Sequence, residues 1–151
     1  PWIPPDQHHT LMREGLAEYG GNVGELREQI HDPAAVVYRP MEVVMLDTPW
    51  HLGRVLLIGD AAHSGTPHLA EGAAMAIEDG VLLAALLRDA HDIETTLQAF
   101  EQRRLPRTRL VYDTGLQLGA WVLALFAGRP DPAADHAGPL ERALQQLMQP
   151  I

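Results

Sequence analysis

A carboxylate stands at the end of an apolar run in GRVLLIGDAAHSGTPHLAEGAAMAIEDG, residues 53–80. Residues 54–58, RVLLI, read as a short buried strand that Gly59 ends, and a small-residue helix opens near Ala70. In open α/β sheets, ligands sit at the carboxyl ends of strands, where Asp60 is placed. An ionised Asp accepts two directed hydrogen bonds, which suits vicinal hydroxyls such as those of a ribose or ribityl chain. Gly59 allows close backbone approach. The start of the helix offers unpaired N–H groups and a positive dipole end, which favour an anionic or electron-rich ligand atom. Ala70, Gly72, Ala73 and Ala74 have little side chain to block that approach. The same spacing also fits a plain strand–turn–helix in which Asp60 caps the turn.

Other chemistry-bearing residues carry less. Asp60, His63 and His68 are metal-ligating types, but the spacing of the two His does not put both on one helical face, and no metal is expected. His8 and His9 read as surface residues. Glu78 and Asp79 are adjacent, so on a helix they point about 100° apart and do not cooperate as a catalytic pair. Capping, a salt bridge or a solvated face is the reading preferred for them. Arg103, Arg104, Arg107 and Arg109 read as a solvated or ion-paired helix face rather than a phosphate site. Gly115 and Gly119 permit close helix packing. Met41, Val43 and Met45 alternate on one strand face and read as core. No residue presents itself as an acid–base catalyst.

The elements that must position these residues follow from periodicity and breakers. Residues 6–19 read as a helix with Asp6 as N-cap, stopped by Gly20-Gly21, and 23–30 as a shorter helix. Residues 34–46 look like one or two strands, with Pro40 marking an edge, bulge or turn. Residues 70–88 read as a largely buried helix. Residues 93–127 form one kinked helix or two, capped by Asp92 and bent or broken at Pro106. A loop over 128–139 precedes a last helix over about 139–148. This is an α/β fragment: a few strands, the strand before Gly59-Asp60, then mostly helices. A lone strand feeding a helix needs neighbouring strands, and the chain supplies few.

Composition sets the outer bounds. The 151 residues suit one domain, and 46% hydrophobic content can bury a core. A net charge of −9, with all 11 basic residues Arg, argues against a general nucleic-acid partner. The absence of Cys removes disulfides, thiolate catalysis and Cys-based zinc sites. No transmembrane run or signal peptide is present in the sequence, so no membrane partner is expected and a cytoplasmic location is.

The stretch GRVLLIGDAAHSGTPHLAEGAAMAIEDGVLLAALL resembles the second FAD-binding motif of the single-component flavoprotein aromatic hydroxylases, the para-hydroxybenzoate hydroxylase-like family. That pattern is roughly G-R-V-x-L-x-G-D-A-A-H, a Pro, then a small-residue helix with A-x-E-D-A. PHLAEGAAMAIEDG is most similar to the salicylate hydroxylase-like branch, and FEQRRLPRTR resembles the helix that follows. The likeness covers about residues 36–127 and is strong over 53–87. It implies that Gly59 and Asp60 meet the flavin ribityl chain and that Pro67 lies beside the isoalloxazine ring. It also implies that the backbone of Leu69, Ala70, Glu71, Gly72 and Ala73 faces the pyrimidine end. The strand carrying Met41, Val43 and Met45 would border an aromatic substrate. Two positions depart from the pattern: Glu71 stands where Gln is usual, and Gly80 where Ala is.

The resemblance implies FAD as cofactor, NAD(P)H and dioxygen as co-substrates, and monooxygenase activity on a small aromatic substrate. The family's G-x-G-x-x-G for the ADP half of FAD has no counterpart here. The expectation is therefore the C-terminal part of a two-domain flavoprotein monooxygenase fold, lacking an N-terminal FAD-binding portion and inactive alone. Residues 1–48 would end the substrate-binding domain, 49–90 form the second FAD-binding motif, and 91–151 supply C-terminal helices. Alternatives are a flavin oxidoreductase on a non-aromatic substrate, or a non-catalytic module. A homo-oligomer built through helices 93–127 is compatible with the pattern.

Overall fold

The computed structural model describes residues 2–151. Two compact units divide the chain, one ending at Met41 and the other Glu42–Ile151. In the first, a 3₁₀ turn at Pro5–Gln7 runs into α1 (His8–Gly15), followed by α2 (Gly21–Arg27) and a second 3₁₀ turn at Pro33–Ala35. Asp6 lies inside the first turn and does not cap α1; Gln7 precedes that helix without a side-chain bond. Pro5 starts the turn early and so moves Asp6 past the capping position. Arg13 joins the two helices, donating to the Arg27 carbonyl at 2.6 Å and pairing with Glu28 at 2.9 Å.

In the second unit the expected strands are largely replaced. Residues 37–46 form no ladder. Instead, the N–H groups of Val44 and Leu46 donate to the carbonyls of Ser64 and Ala62, at 2.8 and 3.0 Å. Alternate residues are thus paired as in a strand, but the partners are one residue of a four-residue helix and the residue just after it, and no ladder forms. The RVLLI run is also not a buried strand. Only Val55–Leu56 (β2) is paired, antiparallel to His51–Leu52 (β1), and Val55 is 68% exposed. This hairpin is the whole sheet among the described residues.

The remainder is helical: α3 (Asp60–His63), α4 (Gly72–Arg88), α5 (Ile93–Phe126) and α6 (Ala137–Leu147), with a 3₁₀ turn at Pro67–Leu69. The expected helix at 70–88 exists, but it is not largely buried. Met75, Asp79 and Leu82 face inward at i, i+4, i+7 spacing, whereas Ile77 and Val81 are 67% and 63% exposed. Asp92 caps α5 as expected, accepting the Thr95 N–H at 2.9 Å.

α5 is one helix of 34 residues, about 50 Å long. Pro106 does not break it. The buried stripe continues on both sides of that residue, from Leu97, Phe100 and Arg104 to Thr108, Val111 and Leu118. Two apolar clusters meet along this stripe. One joins Leu69, Met75, Val111, Leu118 and Ala143; the other joins Trp50, Ala62, Leu82 and Phe100. The hairpin is anchored to α5 by buried His51, whose Nδ1 bonds Glu101 and whose Nε2 lies 3.2 Å from Glu94. The same Glu101 carboxylate accepts the Trp50 N–H at 2.8 Å.

Candidate functional site

A cleft of about 550 Å³ opens in the second unit among α3, the loop 64–71, the start of α4 and the middle of α5. Asp60 and His63 line it from α3, and Gly65, Thr66 and Pro67 from the loop. Ala70, Gly72, Ala73 and Ala76 form one wall; Thr108, Val111 and Tyr112 form the opposite one. The small residues that sequence placed at the head of α4 therefore do leave room. No side chain caps α4, so its first-turn N–H groups remain available at the cleft.

The turn that presents Asp60 is held from a distance. Gly59 adopts φ 57°, ψ −141°, a conformation open to glycine, and a Cβ there would lie 3.3 Å from that of Ala76. Its carbonyl accepts the N–H groups of Ala62 and His63, both at 2.9 Å. Its own N–H donates to Asp79 Oδ2 at 2.8 Å. The same oxygen bonds His63 Nε2 at 2.7 Å, and Asp79 Oδ1 accepts from Arg104 Nε at 2.6 Å. Asp60 itself is exposed, and no bond ties its carboxylate to the described residues. The turn is capped, but Asp79 does the capping.

Behind the turn lies a paired network. Arg104, fully buried, also bonds Glu78 and donates to the Met75 carbonyl at 3.0 Å. Arg107 grips Glu78 at 2.6 and 3.0 Å and reaches the carbonyl of Leu147 at 2.7 Å, tying α4, α5 and the end of α6 together. Burial pushes the Asp79 carboxyl up. The bonds from His63, the Gly59 N–H and Arg104 outweigh it and hold the group below its ordinary value. Glu78 is likewise raised by desolvation but lowered overall by Arg107 and Arg104. The ion-paired reading of Glu78, Asp79 and the Arg cluster thus describes Arg104 and Arg107.

The Pro67 loop sits directly on α5. A Cβ on Gly115 would meet Thr66 Oγ1 at 2.5 Å, and one on Gly119 would meet His68 Cε1 at 2.9 Å. These glycines admit a loop rather than another helix. Leu69 turns away from the cleft into the apolar cluster. Ala70 follows in the left-handed region at φ 57°, an uncommon state for a residue with a Cβ.

Of the residues singled out from sequence, Asp60, Pro67, Ala70, Gly72 and Ala73 line this cleft. Gly59 is buried beneath it, Leu69 is core, and Glu71 is the backbone N-cap of α4, its carbonyl accepting the Met75 N–H. Val43 and Met45 are partly buried and do not line it; Met41 lies in the other unit and is exposed. Sequence reasoning missed Thr66, Thr108, Val111 and Tyr112. The last three recur at helical spacing on one face of α5, but nothing in one sequence says that this face meets the Pro67 loop. His63 and His68 form no metal cluster, and none exists among the described residues.

Comparison with known proteins places the site in context. Residues 38–114 match the family described as FAD binding domain. YetM of Bacillus subtilis, provisionally named an FAD-dependent monooxygenase, is 38% identical over 117 residues, 78% of this chain and 31% of that protein. A 6-hydroxynicotinate 3-monooxygenase of Pseudomonas fluorescens is 47% identical over 64 residues, 41% of this chain and 17% of that protein. A salicylate hydroxylase of Pseudomonas putida is 33% identical over 123 residues, 79% of this chain and 27% of that protein. The chain spans less than a third of the length of each of these relatives.

Proposed function

The chain belongs to the FAD binding domain family, and on that footing we propose that it is the C-terminal part of an FAD-dependent monooxygenase. The enzyme would hydroxylate a small planar aromatic compound with NAD(P)H and dioxygen. One observation carries the reading. The unpartnered carboxylate of Asp60 and the uncapped N-terminus of α4 open on the same cleft, walled on the α4 side by residues with little side chain.

This donor and acceptor set fits a flavin. Asp60, presented by Gly59, would accept from ribityl hydroxyls, and Pro67 would lie beside the ring system. The backbone of Leu69, Ala70, Glu71, Gly72 and Ala73 would face the pyrimidine end, where α4's dipole favours negative charge. FAD, when bound, supplies the redox and oxygen chemistry. The chain's own residues bind and orient it; none of them is assigned a proton transfer. Met41, Val43 and Met45 are proposed as an apolar border of the substrate, on the strength of the family resemblance. Residues 1–48 are assigned to the end of the substrate-binding part, 49–90 to the second FAD-binding motif and 91–151 to the C-terminal helices. An N-terminal portion would supply the ADP half of the cofactor site, so residues 1–151 alone should hold FAD weakly and be inactive.

The names of the relatives support the substrate class: salicylate and 6-hydroxynicotinate are both hydroxylated aromatic carboxylates. Among the described residues no helix is long and apolar enough to cross a membrane, and a cytoplasmic location is part of the proposal. In the full-length protein, Asp60→Ala should weaken FAD binding by about 1.5–3 kcal/mol, roughly tenfold or more, because charge-assisted hydrogen bonds are lost. Flavin fluorescence titration measures it; unchanged affinity in a folded variant removes Asp60 from the site. NAD(P)H oxidation across phenols, benzoates and hydroxypyridines tests the substrate class. Turnover stimulated by an alkene or thioether and by no aromatic would overturn it.

A further inference from the structure

Asp79 has no part in the function just proposed, yet it is fully buried, and its carboxylate holds three groups of two other elements. We propose that Asp79 is the positioning residue of the cofactor turn: through the Gly59 N–H it sets where Asp60 stands relative to the N-terminus of α4. The inference rests on the reading that Asp60 binds FAD.

The Gly59 residue is pinned at both ends. Its carbonyl is held by Ala62 and His63 of α3, and its N–H by Asp79 of α4. A helix of only four residues does not hold itself in place. The bond from Asp79 to His63 fixes the far end of α3 as well, so one carboxylate grips the short helix at its start and its finish. Arg104 in turn fixes that carboxylate, donating to the oxygen that the turn does not use.

The consequence is geometric. Asp79 lies on α4, the same helix whose first turn lines the cleft. The carboxylate of Asp60 and the N–H groups near Gly72 and Ala73 are therefore both referenced to one rigid element. A ligand that needs an acceptor at one end and donors at the other meets them at a set separation. A capping side chain within the turn itself would hold the turn without tying it to α4.

A purely structural Asp79 and a positioning Asp79 differ in coupling. FAD affinity and thermal midpoint are measured in the full-length protein for wild type, D60A, D79N and D60A/D79N. The positioning role expects D79N to bind FAD roughly fivefold or more weakly, and the double variant to bind no more weakly than D60A alone, since Asp79 acts through Asp60. A folded D79N with wild-type affinity, or losses that multiply in the double variant, overturns the inference while leaving the Asp60 site standing. Wild type that binds no FAD overturns the proposed function and this inference with it. D79N takes from buried Arg104 one of its two carboxylate partners and leaves it Glu78, so the charge-balanced D79N/R104Q is read in the same cycle. G59A, which disturbs the turn without unpairing any charge, must show the same non-additive loss with D60A; additive losses there also overturn the inference.

Discussion

Asp79 and Asp60 are both acidic residues of one short stretch, and their environments divide the work between them. Asp60 is exposed with free lone pairs; Asp79 is buried with its bonding capacity spent on Gly59, His63 and Arg104. A similar division separates the glycines. Gly80 is exposed with open space around it, whereas Gly115 lies beneath Thr66. Gly115→Ala should therefore destabilise the fold by about 1–3 kcal/mol, because Thr66 is stiff at χ1 and its hydroxyl is already bonded to His68 at 2.9 Å. Chemical denaturation checks the value. Gly80→Ala, on the exposed face of α4, should instead stabilise by up to about 1 kcal/mol.

At the scale of elements, α5 is the mast against which the others are stepped. The Pro67 loop, α4 and α6 all pack on it, and the hairpin is moored to it through His51. Its N-terminus depends on Asp92, which accepts the Thr95 N–H, while Thr96 Oγ1 donates to the Asp92 carbonyl at 2.6 Å. Asp92→Ala should therefore loosen the first turn of α5. Because the cap lies one turn from Leu97 and two from Glu101, hydrogen exchange should rise first over residues 93–97 and leave residues 108–118 protected. Uniform exchange along α5 would show that the helix opens only as a whole.

The whole molecule carries two titratable latches of opposite sign. His51 is raised above its ordinary value by the Glu101 hydrogen bond, against desolvation and with help from Glu94. Its contribution is complete below the ordinary His value of about 6.5 and is lost as pH rises through the higher folded value. Asp79 and Glu78 are lowered, so their contributions are present above the ordinary carboxylate range, about 4, and are lost as pH falls through the folded values. Thermal midpoints should therefore decline on both sides of a mildly acidic plateau, between about pH 4 and about pH 6.5. His51→Gln should flatten the alkaline limb and leave the acid limb in place; an unchanged alkaline limb would assign it to another group. Arg104→Met, which takes the guanidinium from buried Asp79 and leaves it only the His63 and Gly59 bonds, should cost about 3–5 kcal/mol at neutral pH.

Read as a string, the chain already determined its longer helices, the Asp92 cap, the small-residue head of α4 and the break at Gly59-Asp60, since these rest on contacts within a few residues; the short helix α3 was not legible. The flavoprotein resemblance was legible for the same reason: its anchors lie within one continuous stretch, residues 53–87. Tertiary structure decided the rest. Val44 and Leu46 alternate as a strand would, but their hydrogen-bond partners are the carbonyls of Ala62, in α3, and of Ser64 just after it. Pro106 carries a local signal to break the helix, yet α5 runs on through it, with its buried stripe on both sides. The wall formed by Thr108, Val111 and Tyr112, and the tie from Asp79 to Gly59, join residues 20 or more positions apart. Periodicity tells which face of a helix is apolar or small; it does not tell what that face meets. Only the packing of α4 and the Pro67 loop on α5 turns a buried carboxylate into the hold on an exposed one.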